Sequence, residues 1–266
     1  MLILLYHGIL SKEDDLSKYS PEDKVYLLKE EEFAKQLEYL HSSGWSTISV
    51  SQLLESSKNK SSLPEKNLII SFDDGNQTDY TIAFPLLNKF DYKAIFFLTS
   101  DFIEKPGHLS KSQILRMSQE GMEFGTHGKT HQFLSTLNEN ELKLELQESK
   151  KMLEEITVKK IDLLSLPGGY HSPKVKEIAR ELGYKGICTS RFGLNDIYTN
   201  LLELKRISFR FGDSFSYFVS IVNQHKKLYL KKKLRDNFLS FLKTILGPNN
   251  YFKLWNFYQR ISTKKT

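Results

Sequence analysis

The fold is indicated first by Leu68-Ile69-Ile70-Ser71-Phe72-Asp73-Asp74-Gly75, an apolar run that ends in two carboxylates and a glycine. A second apolar run, Ile95-Phe96-Phe97-Leu98, follows after a stretch with helical character. Strands that are apolar without interruption are typical of parallel sheets, because helices cover both faces of such a sheet. The two runs therefore predict parallel strands in an α/β fold.

Strand-like and helix-like segments alternate in both directions from this region. The predicted strands are Leu2–Tyr6, Asn67–Phe72, Ala94–Leu98, Glu123–Thr126, Asp162–Leu166, Gly186–Thr189 and Leu204–Phe209. The predicted helices are Glu30–Ser42, Gln77–Lys89, Lys111–Gln119, Glu139–Ile156 and Pro173–Leu182, and Ser56–Ser62 is interpreted as a polar loop. The chain has 266 residues, close to the roughly 250 of a typical α/β barrel. The alternation predicts an α/β barrel or a doubly wound sheet.

Composition excludes several classes of protein. The chain is 39% hydrophobic and 26% charged, with 14 glycines and 7 prolines, which fits neither a collagen-like nor a disordered chain. Its single cysteine, Cys188, permits neither an internal disulfide nor a cysteine-based zinc cluster. The first residues have no basic start and no apolar run of the roughly 7–15 residues that a signal peptide needs. We therefore expect a cytoplasmic protein whose residues 2–6 form a buried strand.

Charge divides the chain into two regions. The net charge is +6, but residues 223–266 contain eleven Lys or Arg and one acidic residue, Asp236. This segment carries +10 and the other 222 residues carry −4, so a nucleic-acid-binding body is not indicated. We predict a catalytic body over residues 1–222 and a basic, amphipathic helical tail over residues 223–266, interrupted at Gly247-Pro248-Asn249-Asn250. The tail fits either the interface of an anionic membrane at the cytoplasmic leaflet or a closing helix that packs on the body.

Two acidic residues and two histidines form the motifs that can carry chemistry. Asp73 and Asp74 end a predicted strand, where one carboxylate can bind a cation while the other serves as a base. The alternative for this pair is an ordinary turn or a helix cap. His127 and His131 would lie on one face of a helical turn and could bind one metal ion, and their alternative is a pair of surface or capping histidines.

A third motif, Ser165-Leu166-Pro167-Gly168-Gly169-Tyr170, ends another predicted strand and taken alone is an ordinary loop. All three motifs, however, fall at the carboxyl ends of predicted strands, where α/β barrels gather their active sites. Two histidines and one carboxylate can bind zinc and leave one position open for water. The combination therefore indicates a hydrolytic metal site.

Ser71-Phe72-Asp73-Asp74-Gly75 after a buried strand, followed by the pair His127 and His131, resembles the polysaccharide deacetylase (NodB-homology) family, carbohydrate esterase family four. The resemblance covers roughly residues 1–210. It implies a distorted (β/α)7-type barrel, extended here by the helical tail, and an activity that removes acetyl groups from N-acetylated sugars. It also implies that Asp73 is the general base. Asp74, His127 and His131 would be the ligands of a divalent metal ion, for which zinc is the expected metal.

The sequence departs from the family pattern at two places. Ser165 stands where the third motif usually has an arginine that holds the base, and the late Leu-x-His is replaced by Leu204-Lys205-Arg206-Ile207. Leu4-Leu5-Tyr6-His7-Gly8 resembles the branch that deacetylates poly-N-acetylglucosamine, in which an N-terminal Tyr-His supplies the acid. The resemblance therefore implies His7 as the acid, with His171 as the alternative. Gly168 would stabilise the oxyanion through a backbone N–H, and we expect Tyr170 and Arg206 to contact the substrate.

The sequence thus predicts a metal-dependent hydrolase that removes N-acetyl groups from a sugar of a polysaccharide or glycan precursor. Two alternatives stay open, a metal-dependent amidase or esterase on another acyl substrate and a non-catalytic glycan-binding barrel. The missing arginine and the missing late histidine support the non-catalytic alternative. The set of Asp73, Asp74, His127 and His131 argues for catalysis, because a binding module does not need four groups suited to activating water. The expected partners are the glycan and an anionic membrane at the tail, with no nucleic acid.

Overall fold

A computed structural model describes residues 1–170 and 172–262. The strands are β1 (Leu2–Tyr6), β2 (Ile9–Leu10), β3 (Leu28–Lys29), β4 (Ser46–Thr47), β5 (Asn67–Asp74), β6 (Ala94–Leu98), β7 (Glu123–Thr126), β8 (Leu163–Ser165), β9 (Gly186–Cys188) and β10 (Ile207–Ser208). The main sheet has the order β10-β1-β5-β6-β7-β8-β9, β4 pairs with β5, and these pairs are all parallel. The parallel sheet confirms the prediction made from the apolar runs.

The two ends of the sheet meet near β10. Leu204, just before that strand, donates its N–H to the Ile187 carbonyl of β9 and accepts from the Thr189 N–H, both at 2.8 Å. β10 in turn pairs with β1, with Leu4 opposite Ile207. The sheet therefore curls into the distorted barrel that the sequence predicted.

Helices cover the outside of this sheet. They are α1 (Pro21–Lys24), α2 (Glu30–Ser42), α3 (Val50–Asn59), α4 (Phe84–Lys89), α5 (Lys111–Gln119), α6 (Glu139–Thr157), α7 (Pro173–Glu181), α8 (Phe215–Val222) and α9 (Lys226–Ser262). The segment predicted as one helix over Gln77–Lys89 contains a π-helical turn, Asp79–Ala83, ahead of α4. The predicted bounds of α2 and α5 are confirmed.

The interpretation of Ser56–Ser62 as a loop is wrong for its first half. Helix α3 runs through Asn59, because Ser49 and Gln52 form a capping box at its start and Val50 and Leu53 bury apolar side chains. Ser56 and Ser57 are themselves buried, so these small polar residues lie on the packed face of a helix.

The two faces of β5 have different roles. Leu68, Ile70 and Phe72 belong to the larger core cluster, which includes residues of the covering helices, whereas Ile69 packs in a smaller cluster with residues of the neighbouring strands. Because side chains alternate along a strand, Asp73 points to the same side as Ile69. The barrel interior therefore receives one of the two carboxylates at its carboxyl edge.

The tail forms two helical pieces joined at Gly247, whose φ of 69° and ψ of 166° interrupt α9 at the predicted position. Its described part packs on the body, since Tyr251 is 7% exposed and the Tyr229 ring lies 5.0 Å from that of Phe192. Within residues 1–170 and 172–262, every helix is either too short or too polar to span a bilayer.

Candidate active site

Asp73 lies at the carboxyl end of β5 with 3% of its surface exposed. Both of its carboxylate oxygens accept hydrogen bonds from Arg206, at 2.7 Å to Oδ1 and 2.8 Å to Oδ2. Ser165, the last residue of β8, donates a further hydrogen bond to Oδ2 at 3.0 Å. Burial raises the pKa of Asp73, but the charge of Arg206, the charge of His127 and the hydrogen bonds from Arg206 together outweigh burial, so the net pKa is lowered. The carboxylate is therefore held ionised, which is the form a base requires.

The expected contact between Arg206 and substrate is corrected by this geometry. Arg206 is 2% exposed, its Nε donates to the Thr189 carbonyl at 3.0 Å, and its Nη2 donates to Ser165 Oγ at 2.8 Å. All of these hydrogen bonds of the guanidinium are to groups inside the barrel. Arg206 therefore binds Asp73 in place of the arginine that the third motif lacks. Ser165, in the usual position of that arginine, accepts from Arg206 and donates to Asp73.

Asp74, His127 and His131 converge beside Asp73. Asp74 Oδ1 lies 3.3 Å from His131 Nε2 and 3.5 Å from His127 Nε2, and the three candidate ligand atoms lie within 4.8 Å of one another. Asp74 Oδ1 is buried without a properly oriented hydrogen-bond donor among the described residues. An unsatisfied buried carboxylate oxygen facing two imidazole nitrogens fits a divalent cation.

His127 is prepared for metal binding by its backbone partner. Its Nδ1 lies 2.9 Å from the Ser165 carbonyl, and because a carbonyl only accepts, Nδ1 carries the hydrogen and Nε2 is left to bind a cation. Burial lowers the pKa of His127 to about 4, which keeps the ring neutral at physiological pH. A neutral imidazole oriented in this way is a competent ligand.

The helical turn expected for His127 and His131 is not present. The residues after β7 form a loop in which Gly128 and His131 both have positive φ, 78° and 66°. Glu145 of α6 stabilises this loop by accepting from the backbone N–H groups of Lys129 at 2.7 Å and Thr130 at 3.0 Å. The histidines therefore meet through the loop geometry and not through helical spacing.

Glu145 was missed by the sequence reasoning, although a signal existed. It is 6% exposed and lies on the face of α6 that buries Leu142 and Leu146. A carboxylate on the apolar face of a helix has to find partners, and here the partners are the N–H groups of the histidine loop.

His7 directly follows β1, at the same edge of the sheet. Its ring lies 4.9 Å from that of Tyr26, and its Nδ1 is buried without a hydrogen-bond partner among the described residues. Burial lowers the pKa of His7 by more than the nearby charges of Asp74 and Asp73 raise it, so the net pKa is lowered. The alternative acid, His171, lies outside the described residues.

The third motif contacts the tail. Lys243 donates to the Gly168 carbonyl at 3.2 Å and lies 4.9 Å from the centre of the Tyr170 ring. Tyr251 approaches the same ring, with the centroids 6.4 Å apart. The oxyanion role of the Gly168 N–H and the substrate role of Tyr170 stay predictions.

Asp79 is a second residue that the sequence reasoning missed. It is fully buried in the π-helical turn, and neither of its carboxylate oxygens has a hydrogen-bond partner among the described residues. Burial, and after it the charge of Asp74, raises the pKa of Asp79 well above its usual value. Burial therefore favours the protonated form of Asp79, close to the charged part of the site.

A carboxylate held by an arginine, next to an Asp-His-His triad at the carboxyl edge of a curled parallel sheet, defines a hydrolase site. The polysaccharide deacetylase family model matches residues 60–187, and the chain carries a polysaccharide deacetylase domain. This confirms the family, the fold and the enzyme class expected from the sequence, a hydrolase of carbon–nitrogen bonds other than peptide bonds.

Individual proteins extend the match beyond that segment. The chain is 27% identical over 206 residues to a poly-beta-1,6-N-acetyl-D-glucosamine N-deacetylase of Staphylococcus aureus, covering 69% of this chain and 70% of that protein. A protein of the same name from Staphylococcus epidermidis is 30% identical over 138 residues, 47% of each chain. The Streptococcus pyogenes deacetylase PplD shares the fold, with a TM-score of 0.74 at 24% identity over 83% of this chain and 96% of that one. IcaB from Ammonifex degensii also shares the fold, with a TM-score of 0.71 at 22% identity over 84% of this chain and 95% of that one.

Proposed function

We propose that this protein is a metal-dependent N-deacetylase of N-acetylglucosamine-containing polysaccharide or its precursor. The observation that carries the proposal is the pairing of an arginine-held base, Asp73, with a triad whose ligand atoms lie within 4.8 Å. The names of the staphylococcal relatives support the substrate class. The cytoplasmic location stays a prediction.

Asp74, His127 and His131 would hold the divalent ion, with zinc as the expected metal. When bound, such an ion polarises the acyl carbonyl and makes water more acidic. Asp73 accepts the proton of the attacking water, because Arg206 keeps its carboxylate ionised. His7 donates a proton to the leaving amine nitrogen, so that the amide C–N bond breaks and acetate and a free amino sugar are released.

The test is acetate release from N-acetylglucosamine oligomers by protein stripped with chelator and reloaded with zinc, cobalt, nickel or manganese. Asp73→Asn should keep the bound metal and lose about 10²–10⁴-fold in rate, whereas Asp74→Asn should lose the metal as well. Asp91→Asn is the matched control, since Asp91 is exposed and its φ of 55° suits asparagine.

The outcomes separate the alternatives. Turnover of simple acetamides or acetate esters without turnover of sugar oligomers would identify an amidase or esterase instead. Oligosaccharide binding without acetate release under any metal would identify a non-catalytic barrel.

A further inference from the structure

The first half of α9, residues 226–246, exposes a row of large apolar side chains to solvent. The face against the body carries polar side chains: Asp236 accepts from the Phe192 N–H at 2.7 Å and Lys243 donates to the Gly168 carbonyl at 3.2 Å. The solvent face carries large apolar side chains that are 57–63% exposed, and we call them the apolar stripe: Leu230, Leu234, Phe238, Phe241 and Ile245.

The spacing of the stripe shows that it is one continuous surface. Its members follow one another at steps of four, four, three and four residues, which align along one side of an α-helix. Soluble surfaces rarely expose contiguous apolar patches of this kind, and such patches mark interaction sites. The stripe therefore indicates a surface that a binding partner covers.

Charge identifies the kind of occupant. Five basic residues of the same half-helix are exposed, namely Lys226, Lys227, Lys231, Lys233 and Arg235. Asp236, the only acid within residues 223–266, is bonded to the body. A second copy of the chain would bring two such basic surfaces together and be repelled, whereas an anionic surface would be attracted.

We propose that the apolar stripe inserts into the interface of an anionic lipid bilayer, with the flanking basic side chains against the headgroups. The helix would lie in the plane of the interface. The opposite side of the same helix contacts Gly168 and Tyr170. Docking would therefore hold the candidate active site about one helix diameter, roughly 10 Å, from the membrane surface.

Co-sedimentation of the full chain with vesicles tests the proposal independently of any enzymatic readout. We expect binding to vesicles of phosphatidylcholine and phosphatidylglycerol at about 7:3, weaker binding at high salt, and little binding to pure phosphatidylcholine. Phe238→Ser with Phe241→Ser should lower the partition coefficient about 10-fold or more. The control pair Leu144→Ser and Val158→Ser removes exposed apolar residues, 55% and 83% exposed, outside the tail and should change nothing.

A charge variant keeps the test decisive if the phenylalanine variant proves unstable. Lys227→Glu with Lys231→Glu should likewise lose binding to the anionic vesicles, and Lys151→Glu, on an exposed side of α6, is its control. Equal binding by stripe variants and wild type, or no binding by the wild type, overturns the proposal. A wild-type dimer in sedimentation velocity that the phenylalanine variant abolishes would overturn it in favour of self-association.

Discussion

Replacing Arg206 by methionine should destabilise the protein strongly. Arg206 makes two hydrogen bonds to Asp73 at 2.7 and 2.8 Å, one to Ser165 and one to the Thr189 carbonyl, and it is 2% exposed. The variant leaves the buried Asp73 carboxylate without its counter-charge. Breaking a buried pair from one side costs about 3–5 kcal/mol, and we expect that loss in the free energy of unfolding.

A double-mutant cycle isolates the pair from the lost packing of the arginine stem. Asp73→Asn alone leaves the buried guanidinium without a counter-charge and should also lower the free energy of unfolding. The double variant removes both charges. The double variant should therefore lose less than the sum of the two single variants by about 2–3 kcal/mol. Because Asp73 has a lowered pKa in the folded protein, the stabilisation is present above its unfolded pKa and is lost as pH falls through the folded value.

Urea unfolding followed by tryptophan fluorescence, in chelator, measures these free energies. Arg116→Met is the control, because Arg116 pairs with Glu120 at 3.0 Å but is 64% exposed, so its loss should leave the midpoint unchanged. A loss below about 1 kcal/mol for Arg206→Met, or additive effects in the cycle, would refute the claim that this ion pair holds the base.

Three further predictions concern single residues. His7→Ala should keep its metal and lose about 10²–10⁴-fold in acetate release, with the exposed His225→Ala as control; an unchanged rate would transfer the acid role to another group. Asp79→Asn should stabilise the protein in thermal unfolding more at about pH 7 than at about pH 4. An acid whose pKa is raised in the folded state destabilises that state once the pH exceeds its unfolded pKa. An equal gain at both pH values would contradict a raised pKa for Asp79. Gly125→Ala should cost about 1–3 kcal/mol in urea unfolding, since its Cβ would lie 2.5 Å from the Phe97 ring; an unchanged midpoint would contradict that packing.

Much of the fold was predictable because it rests on local patterns. β1, β6 and β7 have the predicted bounds, since an unbroken apolar run identifies a buried parallel strand without knowledge of its neighbours. The placement of Asp74 and the two histidines at one edge follows from the same reasoning, because the carboxyl ends of parallel strands meet there. Helix α3 was not predicted, because its apolar face is short and is interrupted by serines.

The group that holds the base could not be found in this way. Arg206 and Asp73 are 133 positions apart, and they meet only because β10 pairs with β1, which lies beside β5. A motif comparison at Ser165 shows only that the usual arginine is missing. The barrel shows that Arg206, the residue just before β10, supplies the same charge.

For the tail, the sequence alone shows that residues 223–266 are basic, and it predicted an amphipathic helical segment with the interruption that the structure has at Gly247. Helical periodicity defines two faces but does not say which one contacts the body. That depends on the partners the folded body offers, and here they are the Phe192 N–H for Asp236 and the Gly168 carbonyl for Lys243. Because those hydrogen-bonding groups lie beneath the helix, Asp236 and Lys243 face the body and the apolar stripe faces outward.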